Sequence, residues 1–446
     1  MSERELSTDP WWWMDVPREP EQPVELPKSV DVLVVGSGYT GLHAALVAAR
    51  AGKSVLVLDA QSLGFGCSSR NGGQVSRSVK PTVEQLSKRH SKDLALRIHR
   101  EGQASLNWLD GFIKDEQLDC DFSRCGRFHA AHNSSALEKL KRAIAAEHAE
   151  FKTGAVLVEK ADQHRYIATD GYAGGAFFPE HASLHPAKYH QALLSLVHQA
   201  GGVSIGYCPV LKIDGDAKTG AAQHVLTQLG TVTAGQVVIA TNGYTGSGLV
   251  AKSNTWLQKR VIPIGSYMIA TQEIEPEILS QLLPSQCIIS DSRKVVYYYR
   301  KSGDGKRVIF GGRVSSAEID PLDSGPLLKA ELDRLLPSLT AFKISHSWSG
   351  TVAYTFDELP HIGQQQGVHY AMGYCGSGVG MGSYLGMQLG HQVLRSCEGK
   401  TIQQKGAEHS SAFSETKFQT RPLYSGNPWF LAPSVAYYRW RDKLNM

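Results

Sequence analysis

The sequence predicts an α/β protein: a domain on a largely parallel sheet, interleaved with a second, α+β domain on a mixed sheet. Three observations carry this. An apolar run, "VDVLVV", leads into Gly36, Gly38 and Gly41. A second run, "SVLVLDA", brings an acid, Asp59, to its end. A strand and loop near residue 240 and a strand, glycine-rich turn and long helix near 370 follow later, and the stretch from 262 to 312 between them is rich in β character. The parallel domain is therefore visited three times, with the mixed domain made from the intervening pieces.

The elements follow in order. Residues 1–29 form an arm without a basic start and apolar core, so no signal peptide is expected. Its "PWWW" is expected to clamp the arm onto the body. "VDVLVV" is continuous, β-branched and bounded by turn residues, which marks a strand buried on both faces. Gly36 supplies a tight turn, Gly38 lets the backbone approach a pyrophosphate, and Gly41 lets the next helix pack on the strand. That helix opens at Tyr39 and Thr40, and its N-terminus offers N–H groups and a partial positive charge to a diphosphate. Asp59, followed by Ala60, is placed to accept hydrogen bonds from a ribose. This is a Rossmann-type dinucleotide-binding unit, and its glycine spacing suits either a nicotinamide or a flavin dinucleotide.

Helical periodicity runs from about Pro81 to Ala146. "SLHPAKYHQALLSLVHQAGGVSIGY" reads as helix then strand. "VIPIGSYMIAT", "CIISD" and "KVVYYYRKSGDGKRVIFGGR" read as strands, the last a hairpin turning at "SGDGK". "GPLLKAELDRLLPSL" is a charged helix, and a strand at "KISHSWSGTVAYT" follows it. The expected division is 30–80, 165–250 and 345–400 for the dinucleotide domain. Residues 81–164 and 251–344 make the substrate domain, and 401–446 a tail.

Three glycine-rich segments favour the flavin. "CSSRNGGQV" lies one strand past the acid, where a nicotinamide site needs nothing; Arg70, Asn71, Gly72 and Gly73 suit a ribityl chain and ring edge. "VVIATNGY" ends a strand at Ala240–Gly243, placed beneath the cofactor. "GYCGSGVGMGSYLG" opens a long helix whose N-terminus stabilises negative charge on a reduced flavin. The expected FAD-binding set is Gly36, Gly38, Tyr39, Thr40, Gly41, Asp59, Ala60, Cys67, Ser68, Ser69, Arg70, Asn71, Gly72, Gly73, Gln74, Val210, Thr241, Gly243, Gly376, Ser377, Gly378, Val379 and Gly380.

Bulk properties narrow the class. With 446 residues, 42% hydrophobic and 20% charged, the chain is an ordinary globular enzyme of two domains. A net charge of +4 is too small for nucleic-acid binding and compatible with a cleft that attracts carboxylates. Seven cysteines with no C-x-x-C pair suggest neither a disulfide framework nor zinc, and no histidine shows metal-ligand spacing. No run of about twenty apolar residues exists to span a membrane. A reducing cytoplasm is the default compartment.

The set "VVGSGYTGL", "LDA", "GFGCSSRNGGQ", "YYYR", "GGR", "LPHIG" and "GYCGSGVG", with the tail "AYYRWRDKLN", resembles the D-amino-acid-oxidase-type flavoproteins. Within them it is most similar to the gamma-glutamylputrescine oxidases. The resemblance implies transfer of a hydride from an amine carbon to flavin N5, imine hydrolysis to an aldehyde, and reduction of oxygen to hydrogen peroxide. It leaves a second reading open: a dehydrogenase or oxidase of a secondary or cyclic amino acid, sarcosine- or pipecolate-like, that passes electrons to a carrier. Ser377 stands where relatives carry a histidine against the flavin. Sarcosine oxidases of the wider family have a lysine where Gly380 stands and a flavin-linking cysteine near "TVAYT", which is absent here, so FAD is expected to be held non-covalently.

For a small carboxylated amine, "VVYYYR" is the best local signal. On a strand Tyr297 and Tyr299 face one way, Tyr298 and Arg300 the other. Tyr299 and Arg300 are the expected substrate contacts, with Arg77 and Trp348 secondary, and Lys259 the candidate for oxygen activation. The sequence leaves the oligomeric state open.

Overall fold

A computed structural model of the chain describes residues 6–16, 25–77, 79–215, 222–245, 254–315, 317–400 and 410–443. The expected parallel sheet has the strand order His361–Gln365, Val368–Met372, Gly230–Ile239, Ser29–Val35, Val55–Leu58, Val203–Ile205. All neighbours are parallel except the first pair. Val32, Leu33 and Val34 are wholly buried, as a central strand covered on both faces requires. On one face the Tyr39–Arg50 helix lies against the Gly378–Cys397 helix, so close that a Cβ at Gly386 would sit 2.6 Å from the Thr40 carbonyl oxygen. The helix that begins the chain's first domain is thereby locked to the one that ends it.

The second sheet runs Ile344–Tyr354, Ile262–Thr271, Val308–Gly312, Tyr298–Lys301, Ile288–Asp291, Arg127–Ala130, Gly174–Phe178, Val156–Glu159. It is mixed, because Ile288–Asp291 and Arg127–Ala130 pair in parallel while the others are antiparallel. One face carries Phe128, Tyr267, Tyr297, Tyr299 and Phe310 and is covered by the Pro321–Leu335 helix through Leu328 and Leu332. The opposite face carries Trp348, Met268, Tyr298, Ser290 and His129 along one row of paired residues, since period-2 alternation sends neighbouring residues to opposite sides.

The division of the chain differs from the sequence expectation in three places. Gly174–Phe178 and most of Ile344–Tyr354, assigned to the dinucleotide domain, are strands of the second sheet. The Lys92–Asp115 helix, assigned to the substrate domain, buries Leu94, Ile98, Leu106 and Leu109 in the same core as Val34 and Leu42. Finally, the helical stretch expected from Pro81 to Ala146 is interrupted by the Arg127–Ala130 strand. Four residues are too few to show a period of their own.

The arm is clamped, as expected. Trp12 is 0% exposed and packs with Trp11, Met268, Ile309 and Trp348. Trp13 Nε1 donates to Ser69 Oγ (3.0 Å), and Asp15 meets the buried His185 at 3.2 Å. Ser7 exchanges main-chain hydrogen bonds with Ser345 and Ser347, adding the arm to the sheet's edge. Among the described residues no helix is long and apolar enough to cross a membrane.

Candidate cofactor and active site

The glycine turn is shaped by contacts that no side chain could share. Gly36 holds φ at +103°, and a Cβ on Gly41 would lie 2.0 Å from the Gly36 carbonyl oxygen. The Tyr39–Arg50 helix starts at Gly38 without a side-chain cap, so the turn presents main-chain donors and a positive dipole end. Ser68 folds over this turn, its Oγ accepting from the Tyr39 N–H at 3.0 Å. Thr40 is turned inward, hydrogen-bonded to the Tyr374 hydroxyl (2.7 Å) and donating to the Gly382 carbonyl.

Asp59 ends its strand beside the turn. Its Oδ2 accepts from Ser37 N–H (3.0 Å) and Ser37 Oγ (2.6 Å), and its Oδ1 from Gln61 N–H (3.1 Å). Burial raises its pKa, opposed by these hydrogen bonds. Ala60 beside it is exposed, and Val210 is buried at the start of the nearby Val210–Asp214 strand. Asp59→Ala removes a charged acceptor, and we expect FAD affinity to fall by about 1–3 kcal/mol in a protein that still folds. Equilibrium dialysis checks this; unchanged retention of FAD would remove Asp59 from the site.

The other glycine-rich segments converge on the same place. A Cβ at Gly36 would be 3.0 Å from the Ala240 carbonyl oxygen, and one at Gly243 would be 2.3 Å from that of Thr351. Cys67 Sγ donates to the Thr351 carbonyl (3.1 Å), and Thr241 and Thr245 share a 2.6 Å hydroxyl contact. Asn242 Oδ1 accepts from Gly373 N–H at 2.9 Å. Gly376, with φ at +85°, precedes the Gly378–Cys397 helix, whose N-cap residue, Ser377, makes no side-chain cap. Val379 is buried, and Gly380 lies against Val75. Two uncapped helix starts, one beside the nucleotide turn and one at the far loop, with glycine backbone between them, fit the two ends of an FAD. Ser68 Oγ takes the Tyr39 N–H at the first start, and Ser377 leaves the second without a side-chain cap.

The Cys67–Gln74 loop is braced from both domains. Ser69 Oγ donates to the Gly64 carbonyl, and Asn71 Nδ2 donates to the carbonyls of Cys67 and Ser68. Arg70 donates to the Phe65 carbonyl and stacks its guanidinium over Phe65 (4.1 Å) and Trp13 (4.6 Å). Trp348 Nε1 donates to the Arg70 carbonyl at 2.8 Å, and Gln74 Nε2 donates to the carbonyls of Ile289 and Tyr299. A Cβ at Gly72 would lie 3.0 Å from the Tyr298 ring, so the second sheet's open row faces this loop.

Of the three expected catalytic residues, Tyr299 and Lys259 lie away from the loop and Arg300 faces it. Tyr299 is 1% exposed on the covered face, packed on Phe310 and donating to the Tyr172 hydroxyl at 3.1 Å. The same alternation that separates Tyr299 from Arg300 turns it away from the loop. Arg300 does face the loop, but its guanidinium already donates to the carbonyls of Leu184 (2.9 Å), Gly73 (3.4 Å) and Lys301 (3.1 Å) and lies over Trp12. Its Nε and Nη1 thereby fasten main chain at Lys301, Gly73 and Leu184, while Nη2 makes no hydrogen bond among the described residues. Lys259 is exposed at the end of a short helix, its carbonyl accepting from Thr420. The lysine that reaches the Gly376 loop is Lys80, with Nζ 3.1 Å from the Tyr354 hydroxyl, which a Cβ at Gly376 would approach to 3.4 Å. Of the secondary candidates, Trp348 lines the row, whereas Arg77 is paired with Glu180.

Sequence reasoning missed Arg127, His129 and His181 altogether. Arg127 and His129 project from the same face of the sheet as Tyr298, and His129 Nδ1 meets Ser290 Oγ at 3.0 Å. Burial lowers the His129 pKa to about 4 and that of His181 to about 2, with Arg127 adding to both shifts. No local pattern announces them, because the strand that aligns them is four residues long.

Comparison with known proteins agrees with this geometry. Residues 31–392 match the family described as DAO, FAD dependent oxidoreductase. The chain belongs to that family. Among FAD-dependent oxidoreductases, the gamma-glutamylputrescine oxidoreductase of Escherichia coli (strain K12) is 30% identical over 425 residues, covering 93% of each chain. Among solved structures, glycine oxidase from Geobacillus kaustophilus superposes with a TM-score of 0.67 at 19% identity, over 88% of this chain and 99% of its own. L-proline dehydrogenase from P. horikoshii gives 0.66 at 18% identity, over 84% and 95%. These two share the fold of this FAD-dependent oxidoreductase.

Proposed function

We propose that the chain is an FAD-dependent amine oxidase acting on a gamma-glutamyl-amine, releasing an aldehyde and hydrogen peroxide. The observation that carries the substrate class is the 30% identity, over 93% of both chains, to a gamma-glutamylputrescine oxidoreductase. Bound FAD supplies the two-electron acceptor for the amine's C–H. The chain's part is positional. Met268 and Trp348, packed with Trp12, and Tyr298 against Gly72 give the second sheet a buried apolar floor beneath the loop. The N–H groups at the start of the Gly378–Cys397 helix, with Lys80 near Gly376, favour negative charge on the acceptor. The imine leaves as aldehyde and ammonia after adding water.

The FAD is held non-covalently in this reading. Both thiols near the site are turned to main-chain carbonyls: Cys67 to Thr351, Cys375 to Gly373 at 3.2 Å. Burial pushes the Cys67 pKa up to about 12 and raises that of Cys375, so neither is a ready thiolate. Acid precipitation should leave all the yellow colour in the supernatant; colour in the pellet would overturn the non-covalent assignment.

The substrate assignment is tested by mixing the holoenzyme with gamma-glutamylputrescine and following flavin bleaching without air and peroxide release in air. Bleaching with peroxide at catalytic rates is expected. Bleaching followed by slow reoxidation in air would make the enzyme a dehydrogenase. No bleaching here, but bleaching by a cyclic or N-methyl amino acid, would move the substrate class.

A further inference from the structure

Among the described residues, Arg127 is a cation without a counter-ion. Its Nε is buried with no hydrogen-bond partner, and the side chain donates to no acceptor among the described residues. Burial lowers its pKa to about 10, and the sole neighbour that favours its charge is the Cys125 thiol. The other charged groups nearby are cationic or already matched. Arg77 pairs with Glu180 at 2.5 Å, and Arg124 with Asp110 at 2.9 Å. His181, stacked on Phe178 directly across the strand pair from Arg127, leaves its Nδ1 without a partner. His129 lies two residues along the same face, level with Ser290 and Tyr298, and Tyr298 underlies Gly72. A guanidinium keeps its proton at any working pH, and one half-buried here without an anionic partner is ready to take an arriving anion.

We infer that Arg127, flanked by His129 and His181, is the anchor for the substrate's carboxylate. This deepens the proposed function, on which it rests: the glutamyl end is held at Arg127 while the amine end reaches the row at Tyr298 beside the Gly72 loop. Planar, forked donors recognise a carboxylate in two parallel hydrogen bonds. Arg300 has Nε and Nη1 tied to main-chain carbonyls, whereas Arg127 donates to no acceptor among the described residues.

The test uses the FAD-loaded enzyme and glutarate, which has the carboxylates but no oxidisable amine, with glutaramide as the uncharged control. Glutarate should perturb the flavin spectrum saturably and raise the thermal midpoint; glutaramide should do neither. Arg127→Gln and Arg127→Met should each weaken glutarate binding more than tenfold. Their ligand-free midpoints should match that of the unsubstituted enzyme, because no hydrogen bond or ion pair of Arg127 among the described residues is lost. Unchanged glutarate affinity in both variants, no response in the unsubstituted enzyme, or variants that fail to fold would overturn the inference. Loss of glutarate binding in an enzyme that does not oxidise gamma-glutamylputrescine would leave the anchor standing and remove only the substrate assignment.

Discussion

Gly41→Ala should yield a protein purified without FAD. The added Cβ would sit 2.0 Å from the Gly36 carbonyl oxygen and 3.1 Å from Val34 Cγ1, well inside van der Waals contact. Main chain lies on one side and the Gly378–Cys397 helix packs from beyond, so the Tyr39–Arg50 helix has no slack in which to withdraw. Forced overpacking costs about 1–3 kcal/mol or more. Here it is delivered at the turn proposed to meet the diphosphate, so binding is expected to suffer before the distant second sheet does. The ratio of flavin to protein absorbance checks this, and stoichiometric flavin in the variant would show that the motif tolerates the methyl group.

Trp12→Ala should lower the unfolding free energy by about 3–5 kcal/mol, the range for truncating a buried aromatic. Trp12 is 0% exposed, 5.2 Å from the Trp11 ring and 4.9 Å from that of His185, with the Arg300 guanidinium 5.8 Å from its ring. Its Nε1 has no hydrogen-bond partner among the described residues, so the loss comes from packing, the cavity and the Arg300 contact. Urea denaturation measures it, with Leu423→Ala at a 91% exposed position as the unaffected control. Equal midpoints for the two variants would show that the arm lies outside the cooperative fold.

The two expectations differ in where their information lay. Gly36, Gly38, Gly41 and Asp59 form a pattern within thirty residues, because the turn, the helix start and the acid are neighbours in the chain. The glycines at Gly72, Gly243 and Gly376 were legible for a related reason: a close contact with the Tyr298 ring, the Thr351 carbonyl, or a positive φ each calls for glycine, so the residue type itself marks the place. Arg70 was legible as a site residue, but its stacking on Phe65 and Trp13 was not.

What the sequence determined by itself is thus the local chemistry: the Rossmann-type turn, the glycine-lined cradle, the flavin and the alternation of the Tyr297–Arg300 strand. What only the tertiary structure decided is which residues meet. Alternation says that Tyr298 and Arg300 share a face, yet which face looks at Gly72 depends on the Pro321–Leu335 helix covering the other. Arg300 reads as a carboxylate fork until Gly73 and Leu184 bring their carbonyls to it from remote parts of the chain. Arg127 reads as one more surface cation in a helical stretch until pairing with Ile288 and Phe178 turns four residues into a strand. Backbone conformation is set over a few neighbouring residues, whereas desolvation and charge pairing are set by segments a hundred or more residues apart, and a single side chain's role in a site is decided by the second.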